Sequence, residues 1–246
     1  MMEELKVKAI QAQQFWEDKQ ANFDYLEKTF FTTFERDETD LILLPEMFNT
    51  SFTMNVTEMG EPMDGNSIAW LLKWANKLNT HIGGSLIIEE DGNYFNRFVI
   101  VGPGGVKAFY NKRHLFRMAN EHEHFSAGNE RVVFHLNGWN ILLQVCYDLR
   151  FPVYARNTYT EGKKEYDAVI YIANWPAKRG FIWKNLIQAR AIENQVYAIG
   201  LNRVGKDGNE IEYTGDSMLV DPWGNIIRQA PENTEVVLNL VLKPTV

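Results

Sequence analysis

Cysteine is almost missing from this sequence: Cys146 is the only one in 246 residues. A single thiol excludes an internal disulfide and fits a reducing, cytoplasmic setting. No apolar run approaches the ~20 residues of a membrane span. The N-terminal MMEELKVKAIQAQ has no apolar core of the kind a signal peptide carries. Positive charge is also short, with 25 Lys and Arg against 32 Asp and Glu and a net charge of −7. An acidic chain repels phosphates, so neither nucleic acid nor an anionic membrane is an expected partner. Apolar residues, at 45%, are enough to fill a sizeable core, and the length suits one domain over 1–246.

Strand and helix patterns interleave along the chain. Leu5–Gln13 alternates as a first strand, and Phe15–Arg36 spaces Phe23, Leu26, Phe30 and Phe34 as one helix. LILL at Leu41–Leu44 is a short buried strand stopped by Pro45, and Ser67–Leu78 is a second helix. Asp91-Gly92-Asn93 and Asn137-Gly138 mark hairpins, and a further turn falls at Asp221–Gly224. VKAFYNK, YDAVIYIAN and QVYAIGLNRVG read as strands, and Trp183–Asn194 as a helix. This order predicts a layered α/β domain with mixed sheets.

Two motifs fail on inspection. Gly200–Asp207 comes close to a P-loop, but Asp207 stands where Ser or Thr should hold magnesium, and a carboxylate there repels phosphate. EHEHF (Glu121–Phe125), with His114 upstream, lacks metal-ligand spacing and reads as a polar loop.

Three segments share a design in which an apolar strand ends at a reactive residue. LILLPE ends at Glu46, VKAFYNK at Lys112 and LLQVC at Cys146. Ligands and catalytic groups collect at strand ends in α/β sheets. Taken singly, Cys146 is a small buried hydrophobe, Glu46 a cap and Lys112 a solvated strand end. Taken together they supply a nucleophile, a base and a cation.

LLPEMF, YNKRHLF and VCYDLRFP together resemble the three catalytic motifs of the nitrilase superfamily, the carbon–nitrogen hydrolases. IYIANWP, QARAIENQVYAIGLNRVG and GDSMLVDPWG extend the resemblance over nearly the whole chain. YNKRHLFRMANEH, the following SAG and NWPAKR are most similar to the bacterial omega-amidase branch. The resemblance implies a four-layer α-β-β-α sandwich that pairs into homodimers or higher homo-oligomers. It implies Cys146 as nucleophile, Glu46 as general base and Lys112 as the oxyanion-stabilising cation. A second active-site glutamate is implied at Glu121, with Glu123 as the alternative.

The chemistry explains these roles. A thiol with a pKa of about 8.5 is mostly protonated at neutral pH and needs a base. Glu46 is expected to take the Cys146 proton and pass it to departing ammonia. The oxyanion is expected to meet Lys112 and the backbone N–H of Tyr147. A thioester then awaits water, and no step calls for a metal or organic cofactor. Arg113, Arg117, Lys178 and Arg179 crowd these motifs, either as solvated charges or as a clamp for a substrate carboxylate. Phe116 and Trp175 are candidate pocket walls, while Asp148 and Arg150 are expected to brace the cysteine turn. The expected substrate is a small anionic amide of the 2-oxoglutaramate or 2-oxosuccinamate type. The same three residues would also serve an N-carbamoyl amino acid, an aliphatic amide or a nitrile. A ligand-binding or thiol-sensing role is the remaining reading, although sensing alone needs neither Glu46 nor Lys112.

Overall fold

In the computed structural model, which describes residues 2–244, the layering begins with simple alternation. Strand β1 (Leu5–Gln11) turns Leu5, Val7 and Ala9 to one face and Ile10 to the other. After helix α1 (Lys19–Thr29), strand β2 (Leu41–Leu43) repeats the pattern, with Leu41 and Leu43 opposite Ile42 and the following Leu44. A sheet that is apolar on both faces must be covered on both. On one side lie α1 and α2 (Asn66–Leu78), whose Phe23, Leu26, Trp70 and Trp74 cluster with Ile10, Ile42 and Leu44. On the other lies a second sheet, whose Leu143, Ile170 and Leu201 share the central core with Val7, Leu41 and Phe98.

The first sheet continues through β3 (His81–Glu90), β4 (Asn93–Gly102) and β5 (Gly105–Asn111). The second holds β6 (Val133–Leu136), β7 (Trp139–Val145) and β8 (Ala168–Ala173). After helix α3 (Gly180–Asn194) it gains β9 (Tyr197–Asn202), β10 (Met218–Val220) and β11 (Ile226–Gln229). The chain then returns to the first sheet as β12 (Val236–Leu242).

The orders are β12-β1-β2-β3-β4-β5 and β11-β10-β9-β8-β7-β6. Each sheet therefore has three parallel central strands, β1-β2-β3 and β7-β8-β9, flanked by antiparallel ones. Helix α3 packs Trp183 and Ile187 onto Gly200 of β9, where a Cβ would lie 2.8 Å from the Trp183 ring. The layers run α-β-β-α, as the resemblance implies. The first glycine of the P-loop-like stretch, Gly200, thus serves helix packing.

Some expectations shift. The helix over Phe15–Arg36 shortens to α1, because Asp18 caps it by accepting the Ala21 N–H at 2.9 Å. A separate turn, Phe31–Thr33, follows it. EHEHF is a helical turn, Glu121–His124, rather than a loop: Glu121 is buried while His122, Glu123 and His124 face solvent. EYT (Glu212–Thr214) pairs with Val204–Lys206 in a separate ribbon.

Candidate active site

The C-terminal ends of strands from the two sheets bring the expected residues together. Glu46 follows β2, Lys112 follows β5 and Cys146 follows β7. Glu46 and Glu121 are fully buried and Lys112 is 1% exposed. Lys112 Nζ donates to Glu46 Oε1 at 2.9 Å and to both carboxylate oxygens of Glu121 at 2.9 Å. Its three protons thus have three acceptors, and its ammonium lies over the Phe52 ring. Glu121 also accepts the Phe116 backbone N–H, which ties the short helix to the loop after Lys112.

Two asparagines hold these carboxylates, and sequence reasoning passed over both as site residues. Asn96 on β4 donates to Glu46 Oε1 at 2.7 Å and to Glu121 Oε1 at 3.2 Å. Asn174, just past β8, donates its N–H to Glu46 Oε2 at 2.8 Å and its side-chain amide to the Glu46 carbonyl at 2.6 Å. The Asn174 carbonyl in turn faces the Cys146 thiol, with 3.9 Å from Sγ to the oxygen. One residue therefore contacts both the carboxylate and the thiol.

Cys146 has a φ of 45°, a left-handed conformation that costs a non-glycine residue about 1–2 kcal/mol. Met47, next to Glu46, has a φ of 44°. Strained turns beside reactive groups are a recurring feature of active sites. The turn Cys146–Arg150 is 3₁₀, and the Tyr147 N–H lies in its first turn, where helical donors lack intrahelical acceptors.

The electrostatics follow from burial. Desolvation pushes the Cys146 thiol well above its ordinary value, and the Glu46 carboxylate adds to this while Lys112 opposes it. Burial would depress the Lys112 ammonium, but the charges of Glu121 and Glu46 override it and hold the pKa above the usual lysine range. Burial raises the Glu121 carboxyl, Lys112 counters the rise and Glu46 reinforces it. The thiol is thus protonated at rest beside an acceptor.

Above Cys146 opens a cavity of about 450 Å³. Phe116, Tyr147, Trp175, Arg150 and Arg179 line it together with Lys112 and Cys146. Arg117 and Lys178 are exposed and do not line it, so the basic wall is Arg150 with Arg179. Arg150 was expected to brace the turn. Instead its guanidinium lies over the Trp175 ring at 5.2 Å, while that of Arg179 lies over Phe116 at 5.3 Å. Among the described residues neither has a carboxylate within 4.0 Å. A signal for Arg150 was present in the sequence, four residues after the nucleophile on a tight turn.

A carbon–nitrogen hydrolase family profile matches residues 6–242. The chain is 45% identical over 229 residues to the omega-amidase YafV of Yersinia enterocolitica, covering 93% of this chain and 86% of the relative. It is 34% identical over 212 residues to the 2-oxoglutaramate amidase of Bacillus subtilis, covering 85% and 80%. The CN-hydrolase superfamily protein XC1258 from Xanthomonas campestris, solved with an arsenic adduct in its active site, superposes with a TM-score of 0.93. It shares 37% identity, covering 98% of this chain and 91% of that one.

Proposed function

The chain belongs to the carbon–nitrogen hydrolase family, and on that premise we propose that it is an omega-amidase. It would release ammonia from the terminal amide of a small dicarboxylate monoamide such as 2-oxoglutaramate. One observation carries the substrate reading: Arg150 and Arg179 line the cavity over Cys146, and among the described residues neither is ion-paired with a carboxylate within 4.0 Å, although Glu17 and Asp207 line the same cavity. A planar guanidinium suits a substrate carboxylate, and stacking on Trp175 and Phe116 holds each fork in place.

The mechanism uses Cys146 as nucleophile, Glu46 as general base and acid, Lys112 as cation and Glu121 as its anchor. Sγ attacks the amide carbon as Glu46 takes the thiol proton. The carbonyl π electrons move to oxygen, which faces the Lys112 ammonium and the Tyr147 N–H. Protonation neutralises Glu46, which loosens its hold on Lys112 and turns one Nζ–H toward the new oxyanion. Glu46 then delivers the proton to nitrogen, the C–N bond breaks and ammonia leaves a thioester. Water attacks that thioester as Glu46 takes its proton. Collapse releases the acid and returns the proton to Sγ.

A homodimer in the cytoplasm belongs to the same proposal. It is supported by exposed apolar side chains at Phe181, Ile192 and Trp223, and by the unpaired thiol.

The test is ammonia release from 2-oxoglutaramate by the wild type and by Cys146→Ala. Turnover by the first and none by the second is expected. Undiminished turnover in Cys146→Ala would sink the mechanism, and preference for a carbamoylated amino acid would sink the substrate reading.

A further inference from the structure

Asp148 is fully buried two residues after Cys146, and its carboxylate gathers four partners. Oδ2 accepts the Tyr110 hydroxyl at 2.9 Å and the Val145 N–H at 3.1 Å. Oδ1 accepts the His114 N–H at 2.9 Å and lies 2.7 Å from His114 Nδ1. Tyr110 and His114 flank Lys112 at two residues on either side, and Val145 immediately precedes Cys146. Tyr110 belongs to β5 of the first sheet and Val145 to β7 of the second. One carboxylate thus spans the gap between the sheets at the point where their reactive ends meet. Phe151, at the end of the cysteine turn, closes the same junction by stacking on the His114 ring with centroids 3.8 Å apart.

A buried carboxylate is costly unless hydrogen bonds satisfy it. Among the described residues no Lys or Arg nitrogen lies within 4.0 Å of Asp148, so those hydrogen-bond partners carry the load. We propose that Asp148 is a positioning residue that fixes the Lys112 segment against the Cys146 turn. The proposal rests on Cys146 and Lys112 acting in one reaction, and it adds how their spacing is set. Lys112 must present its charge to an oxyanion formed on a carbon bonded to Sγ. Its backbone and that of Cys146 lie in different sheets, and displacements near 1 Å are enough to cost roughly 100-fold in rate.

The experiment counts active sites first, by alkylating Cys146 with iodoacetamide in the fraction of each variant that elutes and melts as the wild type does, because an unfolded chain exposes a thiol that alkylates at least as readily. It then measures kcat and KM on an amide that the wild type hydrolyses. In Asp148→Asn, kcat per alkylatable site is expected to fall roughly 10- to 100-fold while KM moves less than about twofold. A role confined to folding would lower the number of sites and leave kcat per site unchanged; that result overturns the proposal. Where Asp148→Asn yields no folded protein, the double variant Tyr110→Phe with His114→Ala is used. It keeps Asp148 and two backbone donors, and a loss of about tenfold per site is expected. Wild-type kcat per site in that variant overturns the proposal equally. Failure of the amidase reading looks different, since the wild type itself would then turn over no terminal amide.

Discussion

At the scale of single residues, the thiol of Cys146 is kept protonated by burial and by the Glu46 carboxylate beside it. Exchanging that carboxylate for a neutral amide removes a negative charge that favours the thiol form, while Lys112 still favours the thiolate. The pH midpoint for alkylation of Cys146 should therefore move down in Glu46→Gln. Turnover should fall by about 10²–10⁴, the usual contribution of a general base. A more reactive thiol in a nearly dead enzyme is the signature, read by iodoacetamide labelling across pH beside ammonia release. An unchanged or higher midpoint would mean that Glu46 does not govern the thiol. Glu46, Lys112 and Cys146 were legible in the sequence because charged or nucleophilic side chains closing apolar strands are conspicuous. Asn96 and Asn174 were not. A buried amide sits in an otherwise ordinary strand, and its role depends on acceptors that are distant in the chain, 50 residues away for Asn96 and Glu46.

At the scale of elements, the parallel strands aim the site and α3 holds the second sheet from outside. Gly200 lets the helix approach β9 closely, with Trp183 and Ile187 filling the space a side chain would need. Gly200→Ala places a methyl 2.8 Å from Trp183 and 3.0 Å from Ile187. Overpacking of this kind costs about 1–3 kcal/mol, a drop in Tm of roughly 2–12 °C for a chain of this size. Thermal unfolding monitored by circular dichroism checks it, and an unchanged Tm would show that the helix yields freely. Central strands and hairpins were readable from alternation and from Asp91-Gly92 and Asn137-Gly138, whose positive φ angles suit tight turns. The ends of α1 were not readable, because Phe15, Trp16 and Phe34 continue an apolar pattern that Asp18 interrupts by capping. The turn at Glu121 was obscured because three exposed neighbours give it the composition of a loop. Strand β12 escaped notice because its partner, β1, lies at the other end of the sequence.

For the molecule as a whole, charge acts in two opposed ways on an anionic substrate. The net charge of −7 repels it at long range, whereas Arg150 and Arg179 attract it inside the cavity. Exposed charges more than a Debye length apart are largely screened, and that length is about 10 Å at 0.1 M salt. A carboxylate in contact with the two guanidiniums is screened much less. Replacing both with Gln leaves only the repulsive field. KM for 2-oxoglutaramate should then rise by at least about tenfold, the loss of one or two charge-assisted hydrogen bonds. KM for a neutral aliphatic amide should move far less. Added salt screens the long-range repulsion and leaves the contact pairs largely intact, so kcat/KM for the anionic amide should rise with salt in both proteins, from a higher base in the wild type. Steady-state kinetics on both substrates from low to 0.5 M salt would decide. If the double variant loses the charged and the neutral amide equally, the arginines shape the cavity without reading charge.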